Sequence, residues 1–396
     1  MTDKPETSQP RGAEPEPSRG EAAPALSRHS LGTLQPDRSV GRSSASAPAP
    51  SIGRLQRLGA FAAGGSAALG AVVRAGVRRA RRGRRLPGWS ARTELVVEGM
   101  RAFLQTMTAR DPALLQATAG GALGGPSAAM RGTRQRGTTL GEVRAEWIEP
   151  AEGAGDDAPV VLFLHGGGYV FGSIDSHRDL ACRLALAAGS RVALIDYRLA
   201  PQHPFPAALN DALAAYRALL DRGIPPTRVV VAGDSAGGGL SLALLLEVRN
   251  RGWESPAAAA LICPWVDLAL TGKSLEHNAE TDYLDRAMLA TWSNYYRSGE
   301  DARHPLVSPL YADLTGLPPL LIHVGAAEIL LDDAQALAGR AQDAGVPIEL
   351  TVWDDMFHDW HGAAALVPEG QRAIDEIGRF VRRRTGAPGS GAAAPG

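Results

Sequence analysis

Six short apolar runs punctuate the chain: Val160 to Leu164, Arg191 to Tyr197, Arg228 to Gly233, Ala257 to Cys263, Leu320 to Val324 and Ile348 to Trp353. Each is bounded by Pro, Gly or polar residues and has the length of a strand buried on both faces. Segments with helical spacing separate most of them. Ala207 to Leu220 sets Leu209, Leu213, Tyr216 and Leu220 on one face, and Gly370 to Arg384 does the same with Ile374, Ile377 and Val381. The same period runs from Arg92 to Met107, through Leu95, Gly99, Ala102 and Phe103. Apolar strands alternating with amphipathic helices predict an α/β fold, a mostly parallel sheet with helices on both faces. Ligands of such sheets sit beyond the carboxyl ends of the strands. Chemistry is expected there.

The flanks read differently. Residues 1–50 are rich in Pro, Ser, Glu, Arg and Ala with no apolar period, so they bury too little surface to offset their ordering entropy, which predicts disorder. Residues 51–85 are Gly/Ala-rich and end in Arg78-Arg79-Ala80-Arg81-Arg82-Gly83-Arg84-Arg85. We therefore read 1–90 as a disordered basic leader, 91–385 as the folded body and 386–396 as a flexible tail. The formal net charge of the 396 residues is −1, yet the first 90 carry fifteen Lys and Arg against six Asp and Glu. An acidic body predicts no nucleic-acid partner, and the leader lacks the aromatic interleaving of single-strand binders. The arginine run suits a solvated linker, or weak association with an anionic membrane surface.

The opening Met1-Thr2-Asp3-Lys4-Pro5-Glu6 is too polar for a secretory signal. The apolar run Leu58 to Val73 is sixteen residues of mostly Ala and Gly, short of the ~20 that a spanning helix needs. The expected location is cytoplasmic, membrane-peripheral at most. Cys182 and Cys263 lie 81 residues apart with no Cys or His clustered near them, which predicts no disulfide framework and no metal site. Both are expected as buried small hydrophobes.

Two motifs carry chemistry. The run Arg228 to Gly233 leads directly into Asp234-Ser235-Ala236-Gly237-Gly238 and then the apolar helical stretch Leu240 to Val248. Gly233-Asp234-Ser235-Ala236-Gly237 fits Gly-x-Ser-x-Gly in its strand–turn–helix context, which makes Ser235 the expected nucleophile. The turn needs small flanking residues, and the helix start offers amides and a dipole to developing negative charge. A trypsin-like reading of Gly-Asp-Ser-Gly-Gly type would require an all-β, disulfide-bonded chain with His and Asp before the Ser. The second motif, His165-Gly166-Gly167-Gly168-Tyr169, ends the first apolar run. It matches the His-Gly-Gly-Gly oxyanion motif, so the N–H groups of Gly167, Gly168 and Ala236 are expected to form the hole. A phosphate cradle would need Gly-Lys-Ser/Thr next, and none follows.

With these motifs the chain closely resembles the hormone-sensitive-lipase-like family of bacterial esterases. Tyr197-Arg198-Leu199-Ala200-Pro201, His203-Pro204-Phe205-Pro206-Ala207, Pro264-Trp265-Val266-Asp267 and Pro309-Leu310-Tyr311 fit that family, over about residues 90–385. The resemblance implies the α/β-hydrolase fold with a helical cap, here about 91–140 and 268–305. It also implies that Arg198 and Asp267 brace loops.

A serine hydroxyl needs a histidine to take its proton and a carboxylate to hold that histidine's tautomer. In this fold the chain order is Ser, acid, His. His358, in Asp355-Met356-Phe357-His358-Asp359-Trp360, follows the last strand and matches the family's string. His361 is expected to pack or face solvent, and His323 to be a core residue. Where many relatives have Asp-Pro-Leu-x-Asp, this chain has Glu328-Ile329-Leu330-Leu331-Asp332. That puts Glu328 in the acid's place and leaves Asp332 as runner-up, or as a helix N-cap. The expected function is cleavage of small-molecule carboxylic esters of small to medium acyl chain, with no metal or organic cofactor. Deacetylation or lactone hydrolysis of a small metabolite is the alternative, and a non-catalytic receptor on the same fold is a further one.

Overall fold

The computed structural model describes residues 54–119, 127–155 and 157–387. Its strands are β1 (Thr133–Leu140), β2 (Val143–Pro150), β3 (Val160–Leu164), β4 (Arg191–Ile195), β5 (Val229–Asp234), β6 (Ala258–Ile262), β7 (Leu320–Gly325) and β8 (Ile348–Trp353). They form one sheet in the order β1-β2-β4-β3-β5-β6-β7-β8, in which β2 pairs antiparallel with β1 and β4 and every other pairing is parallel. Strands β3, β5, β6 and β7 are buried along their whole length, as continuous apolar runs require. The six expected strands are all present. The hairpin β1–β2 was not expected, and residues 133–140 belong to the sheet rather than to the cap. Its sequence, Thr-Arg-Gln-Arg-Gly-Thr-Thr-Leu in β1, is polar because the strand lies at the edge with its middle exposed.

The helices are α1 (Arg54–Arg82), α2 (Ala91–Thr108), α3 (Pro112–Ala119), α4 (Ala128–Arg131), α5 (Ile174–Ala188), α6 (Ala207–Asp221), α7 (Ala236–Asn250), α8 (Ser274–His277), α9 (Arg286–Arg297), α10 (Leu331–Asp343) and α11 (Pro368–Thr385). Helices α5 and α11 pack closely: a Cβ on Gly378 would come within 2.5 Å of Ala187 O.

Helix α1 corrects the leader boundary. Residues 54–82, expected as disordered chain, form a helix packed along α2. Small residues allow the approach: Ala71 and Ala75 are buried, and a Cβ on Gly64 would meet the Phe103 ring at 2.8 Å. Polar anchors complete it. Buried Glu94 of α2 accepts from Arg78 (2.7 Å), Arg79 (2.6 Å) and the Arg85 backbone N–H (2.9 Å), while Arg85 also pairs with Glu98. Trp89, fully buried, stands edge-on to Phe357. A Gly/Ala-rich sequence hides this helix because its apolar contacts come from close backbone approach, not from large side chains. The rest of the leader, residues 1–53, and the tail from 388 lie outside the described residues.

Candidate active site

Strand β5 runs straight into Ser235, held at φ 54° and ψ −120° before α7 begins. A serine at positive φ is strained, and its neighbours hold it there. A Cβ on Gly233 would lie 2.4 Å from Gly237 O, and one on Gly237 would lie 1.9 Å from Leu164 O. Only glycine fits on either side of the turn. The Ser235 N–H donates to Ile262 O at 2.8 Å, and the Ser235 carbonyl accepts from the Gly238, Gly239 and Trp265 N–H groups. Ser235 is 5% exposed and sits at the positive end of α7.

The glycine loop leaves the end of β3, the strand beside β5. Gly167 and Gly168 take φ 113° and 60°, and a Cβ on Gly168 would meet the Trp292 ring of α9 at 2.5 Å. Among the described residues, the N–H groups of Gly167, Gly168 and Ala236 donate to no protein acceptor. That of Gly166 donates to Asp234 Oδ1 at 3.0 Å. Asp234 therefore braces the loop, and His177 of α5 braces Asp234 with its Nε2 3.1 Å from Oδ2. Burial opposes charge on both groups, but each stabilises the other more: the Asp234 pKa falls below and the His177 pKa rises above its ordinary value. Neither role was anticipated, since the middle positions of Gly-x-Ser-x-Gly carry no constraint legible in sequence.

Glu328 and His358 come together. Fully buried Glu328 presents Oε1 to His358 Nδ1 at 3.3 Å and accepts the Gly325 N–H on Oε2 at 2.8 Å. Asp332 does not join them. Its Oδ2 accepts the backbone N–H groups of Lys273 (2.6 Å) and Ser274 (3.0 Å), so it holds the cap segment to the first turn of α10 rather than capping that helix. His361 packs, with Nε2 3.2 Å from Nδ1 of His323 in β7, and burial lowers the pKa of both, that of His323 to about 3. Asp267 accepts from Ala269, Thr271 and Tyr311, and Arg198 pairs with Asp211.

Two further carboxyls close the histidine loop, and neither was anticipated. Asp282, between α8 and α9, accepts the backbone N–H groups of Ile329 (2.8 Å), Tyr283 (2.7 Å) and His358 (3.3 Å); burial raises its pKa to about 6. Asp359 presents Oδ2 to His358 Nε2 at 3.1 Å. Burial raises the Asp359 pKa to about 7, with His358 pulling the other way. Burial disfavours a charged His358, but Asp359 and Glu328 outweigh it and hold its pKa well above the ordinary value. Both cysteines are buried and unbonded, as expected. The fold nevertheless brings Cys263, Glu328 and His358 together, with ligand atoms within 4.8 Å of one another. A cation there would have to displace the thiol proton, which burial first and then Glu328 and Asp359 hold firmly.

Comparison with known proteins agrees with this architecture. An α/β-hydrolase-fold family model matches residues 161–362. An esterase structure from the bacterial hormone-sensitive-lipase family superposes with a TM-score of 0.69 and 43% identity, over 75% of this chain and 99% of that one. The chain belongs to the hormone-sensitive-lipase-like family of α/β-hydrolases. Membership brings the expected enzyme class with it, a carboxylic ester hydrolase. An acetyl-hydrolase of Streptomyces hygroscopicus is 50% identical over 249 residues, which is 63% of this chain and 82% of the relative. The esterase LipU of Mycobacterium tuberculosis is 39% identical over 253 residues, 62% of this chain and 83% of the relative.

Proposed function

We propose that the enzyme hydrolyses esters of small to medium acyl chain through an acyl-enzyme on Ser235. The observation that carries this is a strained serine at a helix start, with His358 and Glu328 paired at the ends of strands of the same sheet and three amides of the glycine loop and helix start left without a protein acceptor. In the reaction, Ser235 Oγ attacks the ester carbonyl as His358 Nε2 takes its proton, and Glu328 stabilises the resulting imidazolium through Nδ1. The carbonyl oxygen becomes an oxyanion facing the N–H groups of Gly167, Gly168 and Ala236, each such donor being worth about 3–4 kcal/mol in the transition state. The imidazolium then protonates the departing alcohol, and a water repeats the sequence to release the acid. Hydrolysis of p-nitrophenyl esters of graded acyl length tests the reading. Turnover should vanish in Ser235→Ala, and a fluorophosphonate should label Ser235; full activity of Ser235→Ala would end the scheme.

The acetyl-hydrolase relative favours acetyl esters of a small metabolite as the natural substrate. A steep preference for acetyl over longer chains would support that choice.

Location belongs to the same proposal. No described helix is long and apolar enough to cross a membrane. With Arg78, Arg79 and Arg85 occupied by Glu94 and Glu98, peripheral contact falls to the other face of α1. There Leu69, Val73 and Val77 are 67%, 59% and 48% exposed, beside Arg74 and Arg81. That face suits weak association with an anionic lipid surface from the cytoplasmic side. Co-sedimentation with anionic liposomes should drop in Leu69→Glu/Val77→Glu; unchanged partition would dismiss it.

A further inference from the structure

Asp359 has no part in the scheme above, yet it occupies the ring nitrogen that the scheme needs. We infer that Asp359 is a positioning residue for the general base: its carboxylate, 3.1 Å from His358 Nε2, keeps a proton on that nitrogen in the resting enzyme, and the proton must leave before Nε2 can accept from Ser235. The inference rests on the assignment of Ser235 and His358 just made.

The geometry is specific. Asp359 follows His358 directly and lies in the left-handed region, φ 50° and ψ 36°, where a short polar side chain folds back over its own backbone. Its N–H donates to Cys263 Sγ at 3.4 Å, and the carboxylate turns to the preceding imidazole at 3.1 Å. The second oxygen, Oδ1, is buried without a hydrogen-bond partner. An unpaired buried oxygen of this kind disfavours the isolated charged carboxylate and increases its dependence on a cationic neighbour.

The imidazole thus has a carboxyl on each nitrogen, Glu328 at Nδ1 and Asp359 at Nε2. A neutral imidazole carries one N–H and can donate to only one of them. Both contacts are favourable when His358 is an imidazolium between two carboxylates, with a hydrogen bond at Nδ1 and an ion pair at Nε2. In that state the lone pair that would take the Ser235 proton already carries one. Activation is then the loss of one proton to solvent, leaving Asp359 a carboxylate and His358 neutral with its proton on Nδ1.

The surroundings favour keeping that proton. Asp282 of the cap segment accepts the His358 backbone N–H, and Asp234 adds negative charge from the end of β5, offset by its partner His177. Cys263 at the end of β6 stays a neutral thiol, and Tyr283, its ring 5.7 Å from that of His358, stays a neutral phenol. His361 contributes no positive charge, since burial keeps it neutral.

The test is the pH dependence of kcat/KM on p-nitrophenyl acetate for wild type, Asp359→Asn and Asp359→Gly. Both replacements tolerate the left-handed backbone, and both remove the charge. The acid limb should move to lower pH by about one unit or more, a roughly tenfold gain on the limb relative to each plateau. A purely structural aspartate would change the plateau and leave the limb in place, and an unmoved limb in both variants overturns the inference. Ser235→Ala separates the two levels: if it is inactive while the limb stays put, only the role of Asp359 fails, whereas an active Ser235→Ala removes the underlying scheme. Should neither variant fold, 15N NMR of the wild-type imidazoles reads the same point. A proton on or shared with His358 Nε2 at pH 7 is expected, and a bare Nε2 would refute it.

Discussion

Replacing Glu94 with glutamine removes the charge that gathers the end of α1. Glu94 is 1% exposed and accepts from two guanidinium groups at 2.7 and 2.6 Å and from the Arg85 N–H at 2.9 Å. A hydrogen bond to a charged group contributes about 1.5–3 kcal/mol, and removing one partner of a buried ion pair costs about 3–5 kcal/mol. Two features reduce that cost here. The Arg78 and Arg79 side chains keep 26% and 23% exposure, so water compensates them in part, and glutamine retains one acceptor oxygen. The expected loss is about 2–3 kcal/mol, localised to the docking of α1 on α2. Urea denaturation followed by circular dichroism measures the global part, and the rate of trypsin cleavage within Arg78 to Arg85 measures local release. Arg82→Gln, on the exposed side of the same run, should stay within about 0.5 kcal/mol of wild type. If Glu94→Gln behaves like Arg82→Gln in both assays, the run is a solvated tail after all and the ion-pair reading is wrong.

Three further outcomes follow from the site and core. Glu328→Gln should lower kcat by about 100-fold or more, while Asp332→Asn should change it by less than about threefold; equal losses would return the acid's role to dispute. Gly237→Ala forces a Cβ to 1.9 Å from Leu164 O, so it should abolish activity and cost more than about 3 kcal/mol of stability; an active, stable variant would mean the elbow can open. His323 keeps a pKa of about 3 in the fold against 6.5 when unfolded, so its contribution is full above pH 6.5 and is lost as pH falls toward 3. At pH 5 that loss is about 2 kcal/mol, and His323→Leu should lose less stability than wild type between pH 7.5 and 5; identical pH dependence would refute burial of the neutral ring.

The readable parts of this fold are those in which one residue type admits one physical use. Short Val, Leu and Ile runs bounded by Gly, Pro or polar residues have the length of central strands, and glycines at Gly233 and Gly237 mark a turn that the neighbouring backbone leaves no room to fill. What escaped sequence reading shares a different feature: its residues look ordinary until a distant partner arrives. The polar β1 resembles a loop until β2 lies beside it, and α1 resembles a linker until Phe103 meets Gly64. Arginines 78, 79 and 85 look like a surface patch until two glutamates of α2 neutralise them.

Charge carries the same argument into the site. Sequence order and the family's string pointed to His358 and Glu328, the pair that the fold brings together. They said nothing of Asp282 or Asp359. Asp282 reaches the histidine loop from 76 positions away, so no local pattern contains it. Asp359 is adjacent, yet only a left-handed backbone turns its carboxylate onto the ring it follows; in an extended backbone, adjacent side chains point to opposite sides. In the proposed scheme the charge state of the base thus depends in part on backbone conformation at one residue, and the pH profile of Asp359→Asn measures that contribution.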